Sequence, residues 1–256
     1  LRVLRVTDDA IAPFNVESGM SHYSEHLRSV TFTTHRSWEA MYRWYYGLLR
    51  GRMSASTDML RDLERIITPG DGPRERVRKI FNHVTGRIRY VGFELGIGGI
   101  RPRSAGETYV SGMGDCKDIT LVLVALLRAA GIDARMALVR TGDRGVTDMD
   151  TPWIGAFNHA ICFVNIDGGF FLDGTAELAG YREIPEFDRN VPALVMDERG
   201  FRFIEVESPR FERNLLAIEN EVALGADGSA SVVRRFHKQG GMYAPSGRYA
   251  LQEESG

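Results

Sequence analysis

From Ile119 to Leu127 the chain is apolar almost without a break, and Ile119, Leu121, Val122, Leu123, Val124, Leu126 and Leu127 leave no polar face. A helix that is hydrophobic all round must be covered on most sides, so this stretch predicts a central helix, stopped by Gly131 as its C-terminal cap. Upstream, Trp38, Met41, Trp44, Tyr45 and Leu48 recur at three- and four-residue spacing and predict a helix over 37–49 with that stripe as core. Residues 56–67 predict a second helix, ended before Pro69-Gly70. Gly72-Pro73 opens a third over 74–85, in which Val77, Ile80, Phe81 and Val84 share one face and Arg74, Arg76, Arg78 and Lys79 lie towards solvent.

Beyond the central helix the period falls to two. Ala134, Met136 and Leu138 alternate with Arg135, Ala137 and Val139, which predicts a strand over 133–140. Residues 159–166 and 170–173 flank Asp167-Gly168-Gly169 and predict a hairpin. Loop length decides which side chains share a face: a two-residue turn sets Asp173 on the face away from His159, whereas a three-residue loop with a glycine bulge returns it to the same face. The three-residue loop is the expectation. A short strand is predicted over 87–91, β-like stretches at 2–6 and 29–33, and a hairpin around Gly225-Ala226-Asp227-Gly228 joining 220–224 to 231–236. These patterns divide the chain into 1–35, the tail of a preceding β domain; 36–200, a helix-and-sheet core; and 201–256, the start of a C-terminal β domain.

At 256 residues, 43% hydrophobic and 26% charged, the chain can bury a full core, as one large domain or a medium one with appendages. A formal net charge of −2 gives no reason to expect nucleic acid or an anionic membrane as partner. No stretch reaches the ~20 apolar residues of a membrane helix. Leu1-Arg2-Val3-Leu4 has no signal-peptide pattern, so the chain is expected to belong to a longer protein whose targeting segment is not shown, and localisation stays open.

The chemistry concentrates in three places. Asp115-Cys116-Lys117-Asp118 puts a cysteine in the first turn of the central helix, where the dipole favours the nucleophilic thiolate. Asn158-His159-Ala160 opens one strand and Leu172-Asp173-Gly174-Thr175 ends the next, so thiol, imidazole and carboxylate follow in an order that a triad can use. Taken singly, each is an ordinary residue: buried cysteines are mostly inert, and Asp-Gly is a common turn. Cys162, the second cysteine, lies on the His159 strand and reads as a buried strand residue. The glycine-rich loop 92–99 lacks the Lys-Ser/Thr ending of a phosphate loop and the glycine spacing of a dinucleotide site, and reads as a wall of the cleft. Asp143, Asp148 and Asp150 lack the graded ligand series of a calcium loop, and no Cys/His pair has zinc spacing, so neither a metal nor a cofactor is expected.

On Gly114-Asp115-Cys116, Asn158-His159-Ala160 and Leu172-Asp173-Gly174-Thr175, the chain resembles the transglutaminase-core superfamily over about residues 36–180. The resemblance implies an α+β, papain-like fold: a Cys-bearing central helix packed on an antiparallel sheet, flanked by partial β modules. It implies Cys116, His159 and Asp173 as catalytic residues acting through a thioester, resolved by water in a hydrolase or by an amine in a cross-linking transferase. Relatives include transglutaminases, peptidases, amidases and inactive scaffolds; hydrolysis of a protein or peptide substrate is the first expectation, cross-linking or a scaffold role the alternatives. Related enzymes place a polar aromatic before the cysteine, which makes Tyr90 the candidate second oxyanion donor beside the Cys116 backbone N–H. The β flanks resemble those of bacterial members, often parts of larger exported proteins, which points outside the cytoplasm.

Overall fold

The computed structural model of the chain describes residues 5–7, 13–92, 94–176, 178–209, 212 and 214–241. Helix α1 (Trp38–Leu49) starts where the Ser37 hydroxyl accepts the Ala40 N–H, and α2 (Thr57–Ile66) where Ser56 accepts that of Met59. Helix α3 (Pro73–Arg87) has proline at its first position, where no helical donor is lost, and buries Val77, Ile80, Phe81 and Val84. In α1 the buried face is Met41, Tyr42, Tyr45 and Leu49, while Trp44 is 39% exposed. The face is therefore turned from the expected stripe, because Trp44 stands one residue, about 100°, away from Tyr45 around the helix.

Strand β1 (Arg89–Tyr90) pairs in parallel with β2 (Met113–Gly114). Between them lies α4 (Ala105–Ser111), which the hydrophobic periodicity does not predict; Ser104 and Glu107 cap its start reciprocally and Gly112 ends it at φ 65°. Helix α5 (Cys116–Ala129) follows directly, and its residues from Cys116 to Leu127 are all buried.

Strands β3 (Ala134–Val139), β4 (His159–Val164), β5 (Phe170–Leu172), β6 (Pro192–Met196) and β7 (Phe201–Glu205) form one antiparallel sheet in the order β5-β4-β3-β6-β7. Alternation gives it two apolar faces. Ala134, Met136, Leu138, Ala160, Cys162 and Val164 join the core shared with the helices. Ala137, Val139, Ile161, Phe163 and Val195 pack on the reverse face against Ile184, Val191 and Val206. The fold is thus the expected α+β layering of a central helix on an antiparallel sheet.

Some local expectations change. Val164 pairs with Phe170, so five residues, 165–169, close the β4–β5 hairpin instead of three. Asp167, Gly168 and Gly169 all have positive φ (52°, 90° and 91°), which spreads the turn over the whole segment. Residues 29–33 form no strand. The stretch at 2–6 lies mostly outside the described residues. Strand β7 extends the central sheet past residue 200, because its five residues pair with β6. Strands β8 (Leu215–Leu224) and β9 (Ala230–Gln239) make a separate two-stranded hairpin. Among the described residues no helix is long and apolar enough to cross a membrane.

Leu123, fully buried in α5, is a direct probe of this core. Leu123→Ala is expected to lower unfolding free energy by about 2–5 kcal/mol through lost burial and the cavity left behind. Urea denaturation measures it, and a loss under about 1 kcal/mol would mean that the helix is not the centre of the cooperative unit.

Candidate functional site

Cys116 is the first residue of α5, with 8% of its surface exposed. Asp115 accepts the Asp118 N–H at 3.3 Å while Asp118 accepts that of Asp115 at 3.5 Å, a reciprocal box that fixes the first turn. Arg103 holds Asp118 from its backbone N–H (2.8 Å) and its Nε (3.0 Å), and Lys117 pairs with Asp115 although both are buried. Gly114 is needed at the approach: a Cβ there would meet Asp118 Cβ and Thr108 Cγ2 at 2.9 Å.

His159 is the first residue of β4, opposite Val139. Asn158 clamps the strand entry, accepting the Thr141 N–H at 2.8 Å and donating to Thr141 Oγ1 at 2.9 Å. The imidazole Nε2 lies 3.3 Å from Asp173 Oδ2, and the ring shares one cleft with Cys116. With Nε2 turned to the carboxylate, Nδ1 is the nitrogen left for the thiol. Burial pulls the imidazole pKa down, but the hydrogen bonds and charges of Asp173 and Cys116 outweigh it and hold the ring well above its ordinary value.

Asp173 follows β5. Cys162 opposes Leu172, so the next residue continues onto the face of Ile161 and His159, two residues nearer to the histidine than a three-residue loop would have left it. Thr175 explains the Leu-Asp-Gly-Thr spacing: its N–H and hydroxyl donate to Asp173 Oδ1 at 2.8 and 2.7 Å, leaving Oδ2 for the imidazole. Burial pushes the Asp173 carboxyl up, yet His159 and Thr175 together hold it below the ordinary carboxylate value.

Cys116 and His159 line a cleft of about 220 Å³ with Tyr45, Glu94, Lys117 and Phe157. His159 also borders a second hollow of about 550 Å³, lined by Tyr90, Glu94, Arg140, Arg144 and Asp188. Tyr90 is 42% exposed on β1, and its phenol is raised by burial first and then by Cys116. The glycine-rich loop supplies Gly99 to the cleft wall, with Ile100 just beyond it.

Three neighbours of the site carry no motif in the sequence. Tyr45 of α1 is fully buried, and its phenol is raised by burial and then by Cys116. Lys117 forms part of the cleft lining. Asp188 lies 4.0 Å from His159 Nε2. Among the described residues His159, Asp173 and Asp188 form the one grouping with metal-ligating atoms, all within 4.8 Å of one another. Its ring nitrogen and Asp173 oxygen already satisfy each other. The aspartates of the 141–153 loop do not converge; Asp148 instead accepts the N–H groups of Asp150 and Thr151 in a turn of its own.

A buried thiol at a helix start, facing an imidazole on an antiparallel sheet, is the papain-like arrangement of the transglutaminase-like fold. Residues 62–171 match the model of the transglutaminase-like superfamily. A "putative protease" from Parabacteroides distasonis is similar in structure, with TM-score 0.54 and 17% identity over 75% of this chain and 38% of that protein. A "putative cysteine protease" from Cytophaga hutchinsonii matches with TM-score 0.38 and 18% identity over 77% of this chain and 54% of that one. The chain thus spans well under two thirds of either protein. No curated protein matches it.

Proposed function

We propose that the chain is a thiol acyl-transfer enzyme that cleaves amide or peptide bonds through Cys116, His159 and Asp173. The observation that carries this is the convergence of the three groups: Cys116 and the imidazole in one cleft, and Asp173 3.3 Å from Nε2. In this reading His159 takes the thiol proton, and Asp173 orients the ring and stabilises its charged form. The thiolate then attacks the carbonyl, and His159 returns the proton to the leaving amine as the thioester forms. The oxyanion is held by the Cys116 backbone N–H and Tyr90.

Water is read as the acceptor that resolves the thioester in place of an amine. The protease name of the Parabacteroides protein accords with this. The substrate is a protein or peptide. The hairpin of β8 and β9 is read as part of a flanking β module in a longer chain, beginning after Val206.

Denatured casein incubated with the chain and a fluorescent primary amine tests the proposal. New N-termini that disappear with Cys116→Ala are the expected result; fluorescence fixed in casein without cleavage would establish the transferase instead. Neither product, with Cys116 unreactive to iodoacetamide, would favour a scaffold. Tyr90→Phe is expected to lower kcat about 100-fold with little change in KM, the effect of removing one oxyanion donor. An unchanged kcat would leave Tyr90 a packing residue.

A further inference from the structure

Asp188 has no part in the mechanism above, yet it is buried against it. It closes the short turn Glu186–Asp188 in the segment that covers the reverse face of the sheet, and only 2% of its surface is exposed. Its Oδ2 lies 4.0 Å from the same His159 Nε2 that Asp173 Oδ2 approaches at 3.3 Å. As a carboxylate Asp188 Oδ2 is a buried oxygen without a hydrogen-bond partner. Two adjoining carboxylates cannot donate to each other, and a single proton between them removes the defect.

The surroundings favour that proton. Burial first, and then the charge of Asp173, push the Asp188 carboxyl up to about 7; His159 pulls the other way, and Asp143 from the neighbouring 142–144 turn adds to the rise. The adjacent Arg189 is bound to the Ile184 carbonyl from Nε and Nη2 at 2.8 and 2.6 Å, and Arg140 and Arg144 line the hollow that Asp188 also borders.

We propose that Asp188 is a positioning residue of this site: it holds Asp173 through a shared proton, and on releasing that proton to water in the hollow it sets a second negative charge against His159. The ring then stays charged further into alkaline pH than Asp173 alone would allow. Below neutrality Asp188 is a hydrogen-bond donor; above it, a counter-ion. The inference rests on the triad reading above and extends it to a fourth side chain.

The test is the titration of the His159 ring, followed by NMR in isotope-labelled protein with His159→Gln to assign the signal. In the unaltered chain the ring is expected to titrate well above its ordinary value. Asp188→Asn keeps a donor to Asp173 but removes the charge, and is expected to lower the His159 midpoint by about one pH unit or more, since a unit charge is lost at 4.0 Å. A ring that titrates high and does not move in Asp188→Asn overturns the role of Asp188 alone. A ring with an ordinary midpoint in the unaltered chain overturns the triad reading itself. If the variant fails to fold, labelled aspartate carboxyls in the unaltered chain decide: one must titrate near 7, and midpoints all in the ordinary carboxylate range would refute the proposal.

Discussion

His159→Ala is expected to lower amide-bond turnover by about six orders of magnitude and Asp173→Asn by about four, the losses that such deletions produce in hydrolase triads. The difference between them follows from the geometry. Without the imidazole the thiol has no base and the leaving amine no acid; without the Asp173 charge the ring remains, turned by the neutral amide that replaces the carboxylate and less able to carry a proton. Alkylation at pH 6 by iodoacetamide separates these effects from substrate binding, with rapid labelling of Cys116 in the unaltered chain, slow labelling in His159→Ala and an intermediate rate in Asp173→Asn. Stability follows the same groups. The raised His159 contributes stabilisation that is complete below the unfolded imidazole value and fades as pH rises through the folded one. The depressed Asp173 contributes above the unfolded carboxylate value and loses its part as pH falls through the folded one. Fast labelling of Cys116 at pH 6 in His159→Ala would dismantle the assignment.

The second large effect is on stability. Lys117→Met, which strands the Asp115 carboxylate in the helix start, is expected to cost about 3–5 kcal/mol at neutral pH, because Lys117 and Asp115 are buried together and neither has water to fall back on. Burial already pushes the Asp115 carboxyl up, with the Lys117 hydrogen bond opposing it. Once that opposition is gone the acid takes a proton more readily. The cost therefore shrinks as pH falls and grows as pH rises. Urea melts at pH 5 and pH 8 read the difference, and Asp115→Asn in the Lys117→Met background is expected to restore most of the loss. The same cost at both pH values would show that the methionine fails by packing and not by charge.

What the sequence revealed was what local periodicity can carry. The uninterrupted apolar run of α5, its cysteine at the first turn and the alternation of β3 follow from spacing alone. So does the face shared by His159 and Asp173, although the loop that delivers it is two residues longer than expected. Helix α4 was legible in principle, since Ser104 and Glu107 carry the spacing of a capping box. Strand β6 was not, because it lies between β3 and β7 and its pairing with β3 is decided by residues far from its own neighbourhood in the chain. Asp188 left no local trace either: Glu186-Phe187-Asp188 reads as an ordinary acidic turn, and only the packing of that turn over the reverse face of the sheet brings it to His159.

Cys162 is fully buried, its thiol pushed up to about 12 by burial, and the charge it feels most is that of Arg128. Cys162 stands three residues beyond His159 on β4, about 10 Å along the strand at about 3.3 Å per residue, and a fully buried thiol held in its protonated form is a poor nucleophile; both cysteines are free. Oxidation of Cys116 to a sulfenic acid would therefore find no resolving thiol within its own fold, and recovery would depend on thiols supplied from solution.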